Sequence, residues 1–479
     1  MIRFLALAVL LLAPAFAGCS VNPATGGPSF TGFMSPEDET RVGREQHPQI
    51  VRAFGGAYGD RRVQDYVTRV GQGLARVSEL PTLPFTFTVL DSPLVNAFAL
   101  PGGYVYVTRG LMALASDEAE LAGVLAHEIG HMTARHAAQR YSQQVVAGFG
   151  AAVAGAITGS EDIAESVSFS VSSVLQSHSR DQEFEADTLG IRYLGRAGYA
   201  LDAMSGFLAK VDRYARLETE LAGRSPGEVD SSNITATHPR TLDRVERTAP
   251  PAGPTHGRRG TDVYLQVIDG MLYGGDPDQG QVRGQSLLHP RFGIRFDVPP
   301  GFRLVSGARQ VVAQNPNGAA IAFDTARADE TSMADYLRTV WGKSLRLDDA
   351  DRIQVNGFEA ASATARIQAR RGPMDLQLVA IRVESTIHRF LFLTPPQLTQ
   401  PLSDNLRRTI HSFRRLTPVE AAAAPRRVRL RTVQPGETKA RLIESMAPET
   451  GHERRFDIIN GLTESASPPV GSLVKVIAE

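Results

Sequence analysis

The stretch Asp117-Glu118-Ala119-Glu120-Leu121-Ala122-Gly123-Val124-Leu125-Ala126-His127-Glu128-Ile129-Gly130-His131 decides the reading of this chain. Leu121, Val124, Leu125 and Met132 recur with the period of a helix that has one apolar face, over residues 117–138. Asp117 stands where an N-cap is needed, and Glu120, three residues on, is placed to complete a capping box. Residues four apart on a helix share a face, so His127 and His131 present their imidazoles to one metal ion while Glu128 stands beside them as a base.

A catalytic zinc needs three protein ligands and an open position for water, so a third ligand has to follow downstream. Ser179-Arg180-Asp181-Gln182-Glu183-Phe184-Glu185-Ala186-Asp187-Thr188-Leu189-Gly190 supplies it on a second helix, with Glu183 and Asp187 four apart on one face. Glu183 is the expected third ligand. Asp187, one turn on, is placed to accept the second N–H of a ligand histidine and fix its tautomer. One zinc ion per chain is expected.

Four blocks in order over residues 37–248 resemble metallopeptidase family forty-eight: Asn96-Ala97-Phe98-Ala99-Leu100-Pro101-Gly102-Gly103, the zinc helix, Glu183-Phe184-Glu185-Ala186-Asp187, and Thr237-His238-Pro239-Arg240-Thr241 with Arg244. The resemblance implies His127, His131 and Glu183 as zinc ligands and Glu128 as the catalytic base. It adds His238 and Arg244 to the site. His238 either stabilises an oxyanion or fills the fourth metal position at rest, and Arg244 supports either the glutamate ligand or the oxyanion. His178 lies outside the motif and reads as a surface or packing residue.

Around the helices, residues 85–90, 94–100 and 104–108 are β-rich and broken by Gly102-Gly103, which predicts a small sheet. The segment 94–100 is the expected edge strand for an extended substrate, with Asn96, Ala97 and Phe98 as its binding residues. Residues 145–157 are small and apolar but too few to span a bilayer, and read as a packed helix or a lid.

With 479 residues, two or three domains are expected, and 51 basic against 51 acidic side chains leave no global field for nucleic acid. The start reads as an export signal over residues 1–18: Arg3, an apolar run over 4–13, and Phe16-Ala17-Gly18 before Cys19, the sole cysteine. This segment resembles a bacterial lipoprotein signal, which implies a lipid on Cys19 and, with Ser20 next to it, a periplasmic protein tethered to the outer membrane. Residues 19–36, rich in Gly, Pro, Ser and Thr, read as a flexible tether.

The expected architecture is α+β and multidomain. A mostly helical zincin-type protease domain with a small sheet covers 37–250, and a linker with a short helix covers 251–285. An α+β accessory domain, similar to small domains of the PsbP type, covers 286–416, and a linker with four alanines covers 417–427. Residues 428–479 resemble a LysM module, a βααβ fold, which implies peptidoglycan as a ligand. The expected activity is zinc-dependent endopeptidase cleavage of misfolded or stalled envelope proteins, with outer-membrane assembly machinery as a further partner. The alternatives are a latent assembly factor or chaperone, and a peptidoglycan-binding adaptor.

Overall fold

Two glycines set how closely the metal-bearing helices approach. In the computed structural model, which describes residues 19–146, 178–221, 238, 241–249, 256–306, 310–348, 350–369 and 372–479, helix α4 spans Glu118–Thr133 and helix α5 spans Arg180–Arg196. A Cβ on Gly130 would sit 2.9 Å from the Ala186 carbonyl oxygen, and one on Gly190 would sit 3.2 Å from the His127 nitrogen. Any side chain at either position would push α5 away from α4.

Both helices begin as their sequences demand. Asp117 caps α4 by accepting from the Glu120 amide at 2.8 Å. The capping box expected there is only half formed, because the Glu120 carboxylate accepts from Ser116 N at 2.7 Å and pairs with Lys210 at 2.6 Å. The reciprocal box forms instead on α5, between Ser179 and Gln182.

Four further helices surround this pair: α1 (Pro36–Ala53), α2 (Arg61–Ala75), α3 (Arg109–Leu114) and α6 (Asp202–Leu221). Helix α7 (Thr241–Thr248) packs on α5 and α6. The sheet contains β3 (Thr86–Leu90), β4 (Ala97–Leu100) and β5 (Tyr104–Thr108), in the order β3-β5-β4. Strand β5 runs parallel to β3 and antiparallel to β4, which leaves β4 at the edge as expected, but shorter. Gly102 and Gly103, at φ 79° and 101°, make the turn between β4 and β5.

The amino-terminal segment is not a tether. Strands β1 (Cys19–Val21) and β2 (Pro28–Phe30) form an antiparallel hairpin. Asn22 Oδ1 accepts from the Ala24 amide at 2.9 Å and nucleates the turn, and Ala24 is buried in the same core as α2 and α4. Arg135, in the left-handed region at φ 57°, locks the hairpin's exit by donating to Thr31 and to the Met34 carbonyl oxygen. Residues 1–18 lie outside the described residues, as does most of 145–157.

The expected linker 251–285 holds helix α8 (Thr261–Ile268), whose Tyr264, Leu265 and Ile268 join the first core. Its last part belongs to the accessory domain, since β6 (Gln281–Arg283) pairs with β7 (Ser286–His289), and β7 pairs with β8 (Ile294–Asp297). That domain also carries a seven-stranded antiparallel sheet, which contains β9 (Arg303–Ser306), β10 (Val311–Gln314), β11 (Ala320–Arg327), β12 (Asp351–Val355), β13 (Phe358–Ala369), β14 (Gly372–Val383) and β15 (Thr386–Thr394). Helix α9 (Pro396–Ser412) and a separate core of Phe296, Phe323, Phe390, Phe392 and Phe413 complete it. Within the expected linker 417–427, Glu420 is clamped by Arg295 at 2.6 Å and Arg414 at 2.8 Å.

The last unit has the expected βααβ order: β16 (Arg427–Thr432), α10 (Lys439–Glu444), α11 (His452–Ile459) and β17 (Leu473–Ala478), with the two strands antiparallel. It does not stand apart. Val428, Leu442, Phe456 and Val476 are buried in one continuous core with Leu114 and Phe207. Lys475, 1% exposed, donates to the carbonyl oxygens of Ala113 at 2.9 Å and Ala115 at 2.5 Å, which caps the end of α3. Burial, with Lys210 nearby, holds its ammonium well below the usual lysine pKa.

Candidate metal centre

His127 and His131, one turn apart on α4, turn their Nε2 atoms toward each other at 3.0 Å. Glu183, on the facing surface of α5, lies 3.3 Å from His131 Nε2 and 3.6 Å from His127 Nε2. His238, just before α7, brings Nδ1 to 3.0 Å from Glu183 Oε1 and 3.2 Å from His127 Nε2. These four buried side chains form one potential metal-binding group.

The donor spacing fits zinc. Ligand bonds of about 2.0–2.1 Å in a tetrahedron place neighbouring donors about 3.3–3.4 Å apart, and the observed separations run from 3.0 to 3.6 Å. Three imidazole nitrogens and one carboxylate are also the ligand types that zinc takes. When bound, zinc lowers the pKa of a water and polarises a carbonyl.

Carboxylates and one arginine hold the ligands from behind. Asp187 Oδ1 lies 2.9 Å from His127 Nδ1, the place expected for it, and so leaves Nε2 free for the metal. Arg244 grips Asp187 through Nε at 2.8 Å and Nη2 at 2.7 Å, and reaches Glu183 Oε2 at 2.7 Å. It also lines, with Glu128 and His238, a small cavity beside the site. Burial opposes the charge on Glu183, but His238 and Arg244 outweigh it and hold the carboxyl well below its usual range. Burial likewise opposes the charge on His238, and Glu183 with Glu128 raises its pKa.

Glu128 is 1% exposed, with Oε1 at 3.4 Å from His238 Nε2 and, among the described residues, without a hydrogen-bond partner. Burial raises its pKa, and His238 and His127 partly offset this. A carboxyl with weakened preference for its charged form, beside the metal position, has the character of a general base.

Residues 61–250 match the model of peptidase family M48. The chain carries a peptidase family M48 domain. Relatives of that domain include the putative beta-barrel assembly-enhancing protease of Vibrio cholerae, 29% identical over 43% of this chain and 43% of that one. The beta-barrel assembly-enhancing protease of Escherichia coli is 28% identical over 49% and 48% of the two chains. The mitochondrial metalloendopeptidase OMA1 of Schizosaccharomyces pombe is 30% identical over 37% of this chain and 53% of that one. The chain thus spans about half the length of the curated relatives it matches. Among solved structures, cyanobacterial PsbP from Synechocystis covers 27% of this chain and 91% of its own, with 14% identity and a TM-score of 0.23.

The M48 domain opens beside Glu128 and His131 into a groove of about 350 Å³, lined by Ala99, Leu100, Pro101, Gly102 and His178 and by Val21 and Pro23 of the hairpin. The expected binding residues Asn96, Ala97 and Phe98 are instead 4%, 0% and 3% exposed. Phe98 stacks on Tyr106 at 5.0 Å, within the small core that β4 shares with α1. Of β4 the groove takes Ala99 and Leu100, and Leu100, two residues on from Phe98, packs into that same core.

Two histidines of the M48 domain escaped the sequence reading. His178 stacks on His131 with ring centroids 3.8 Å apart and borders the groove, so it is part of the site's wall. Burial, then Arg140 and His238, holds its pKa well below the usual value. His136, fully buried, lies 2.7 Å from His131 through the two Nδ1 atoms. Its one sequence signal is its place one turn beyond the His-Glu-x-x-His motif.

Proposed function

We propose that the chain is a zinc metalloendopeptidase of the bacterial cell envelope. The observation that carries this is the convergence of His127, His131, Glu183 and His238 at tetrahedral donor spacing, with Glu128 poised beside them. A substrate peptide lies extended in the groove along Ala99 and Leu100, held by backbone pairing to the free edge of β4. Glu128 takes a proton from the attacking water and returns it to the leaving nitrogen. Backbone pairing reads little sequence, which suits unfolded or misassembled envelope proteins as substrates.

The resting geometry favours a latent form. His238 Nδ1 stands at the fourth donor position, so His238 moves aside before a substrate carbonyl takes that place. Zinc content and cleavage of an unfolded protein, compared for wild type, Glu128→Gln and His238→Ala, test both parts. Equal cleavage by wild type and Glu128→Gln overturns the peptidase reading. Continued inactivity of zinc-loaded His238→Ala favours an assembly factor without catalysis.

The lipoprotein-like start supports attachment of Cys19 to the outer membrane from the periplasmic side, and mass spectrometry of the membrane-extracted protein tests it. The βααβ order of residues 428–479 supports a LysM-type interaction with peptidoglycan. Co-sedimentation of the full chain with purified peptidoglycan tests that.

A further inference from the structure

The two histidines of α4 are held in different ways. His127 reaches a carboxylate directly, through Asp187 at 2.9 Å. His131 has no carboxylate at Nδ1. That nitrogen faces His136 Nδ1 at 2.7 Å, His136 Nε2 faces Glu185 Oε2 at 3.0 Å, and Glu185 Oε1 accepts from Asn22 Nδ2 at 3.0 Å. Asn22 belongs to the amino-terminal hairpin and is 5% exposed.

One assignment of protons satisfies the whole chain when His131 binds metal through Nε2. Its proton then sits on Nδ1 and is donated to His136 Nδ1, which must be the acceptor. The His136 proton is left on Nε2 and is donated to the Glu185 carboxylate. Asn22, which can only donate through Nδ2, holds the other oxygen of that carboxylate.

We infer that His136 and Glu185 are positioning residues for the metal ligand His131, and that Asn22 makes the amino-terminal hairpin a working part of the metal centre. This rests on the zinc-site reading above. The relay does for His131 what Asp187 does for His127: it fixes the tautomer and the ring orientation. It has to be a relay because α4 ends at Thr133 and the chain turns at Arg135, which brings His136, rather than an acid, beneath His131.

The test measures zinc affinity of the full chain by competition with a chromogenic chelator, a readout separate from activity. Removal of an outer hydrogen-bond partner costs about 10–100-fold in metal affinity, and that loss is expected for His136→Ala and Glu185→Gln. Two substitutions at His136 separate positioning from packing. Asn places an acceptor near the Nδ1 position and retains affinity to within a few-fold. Gln places its polar atoms near Nε2 and behaves as Ala does. Asn22→Ala loses a few-fold, whereas Ser142→Ala, which removes only the Phe33 amide's partner at 3.2 Å, leaves zinc affinity unchanged.

Affinities within twofold of wild type for both His136→Ala and Glu185→Gln overturn the inference, and so do equal affinities for the Asn and Gln variants. If His136→Ala does not fold, the partly exposed Glu185→Gln decides alone. Because His131, His136 and His178 also lie within reach of one ion, a titration endpoint of two zinc ions per chain overturns it in favour of a second metal. Absence of zinc binding by the wild type would instead overturn the site reading itself.

Discussion

Buried histidines occur in both cores of this protein, and His238 in the first behaves opposite to His289 and His388 in the second. In the M48 domain, His238 is 3% exposed, yet Glu183 and Glu128 raise its pKa against the effect of burial. In the accessory domain, His289 and His388 are 5% and 1% exposed, packed against Phe292, Phe323 and Phe413. Among the described residues their Nδ1 atoms have no hydrogen-bond partner, and burial, which Asp278 and Asp276 only partly offset at His289, pushes both down to about 4. Burial alone makes a histidine a neutral packing group. At His238 two facing carboxylates outweigh burial and favour the charged ring.

The largest expected effect lies in the M48 domain. Glu128→Gln should lower turnover by about 10²–10⁴-fold, the usual contribution of a general base, with zinc content unchanged. Retained turnover would make its burial mere packing, as in the accessory domain.

The second effect is on stability against pH. His289 and His388 have folded pKa values of about 4, against 6.5 ordinarily. Between these values the unfolded chain binds more protons than the folded one, so stability is complete above pH 6.5 and falls as pH drops toward 4. Each histidine contributes at most about 3 kcal/mol to that loss. His388→Phe should flatten the acid limb of an unfolding curve followed in the accessory domain. An unchanged limb would break the contrast.

Next comes Lys475. Lys475→Met keeps the stem but strands the carbonyls of Ala113 and Ala115, with an expected loss of about 2 kcal/mol. Calorimetry should show the transition of the first core moving down and that of the accessory core staying put. The smallest effect is a null: His388→Phe should leave peptide hydrolysis within twofold of wild type.

The sequence exposed the parts of the site that obey helical period. His127 with His131, and Glu183 with Asp187, are readable because four residues make about one turn. The facing of α4 and α5 is carried by Gly130 and Gly190, whose meaning appears only when the second helix is present. The hairpin is not legible in the sequence, because Gly, Pro, Ser and Thr build tight turns as readily as loose tethers. Its fixed state comes from distant partners, Glu185 and Arg135. Lys475 sits in Val474-Lys475-Val476, where alternation implies a solvent-facing lysine. Only the open end of α3, far away in sequence, explains why it points inward. His136 and His178 follow no period, and the return of the chain brings them to His131.

The docked hairpin also sets a length. Asn22 is fastened to Glu185, and Cys19 is three residues earlier. Three extended residues reach about 10 Å. Were Cys19 to carry a lipid, as proposed above, that reach would hold the groove close to the bilayer surface.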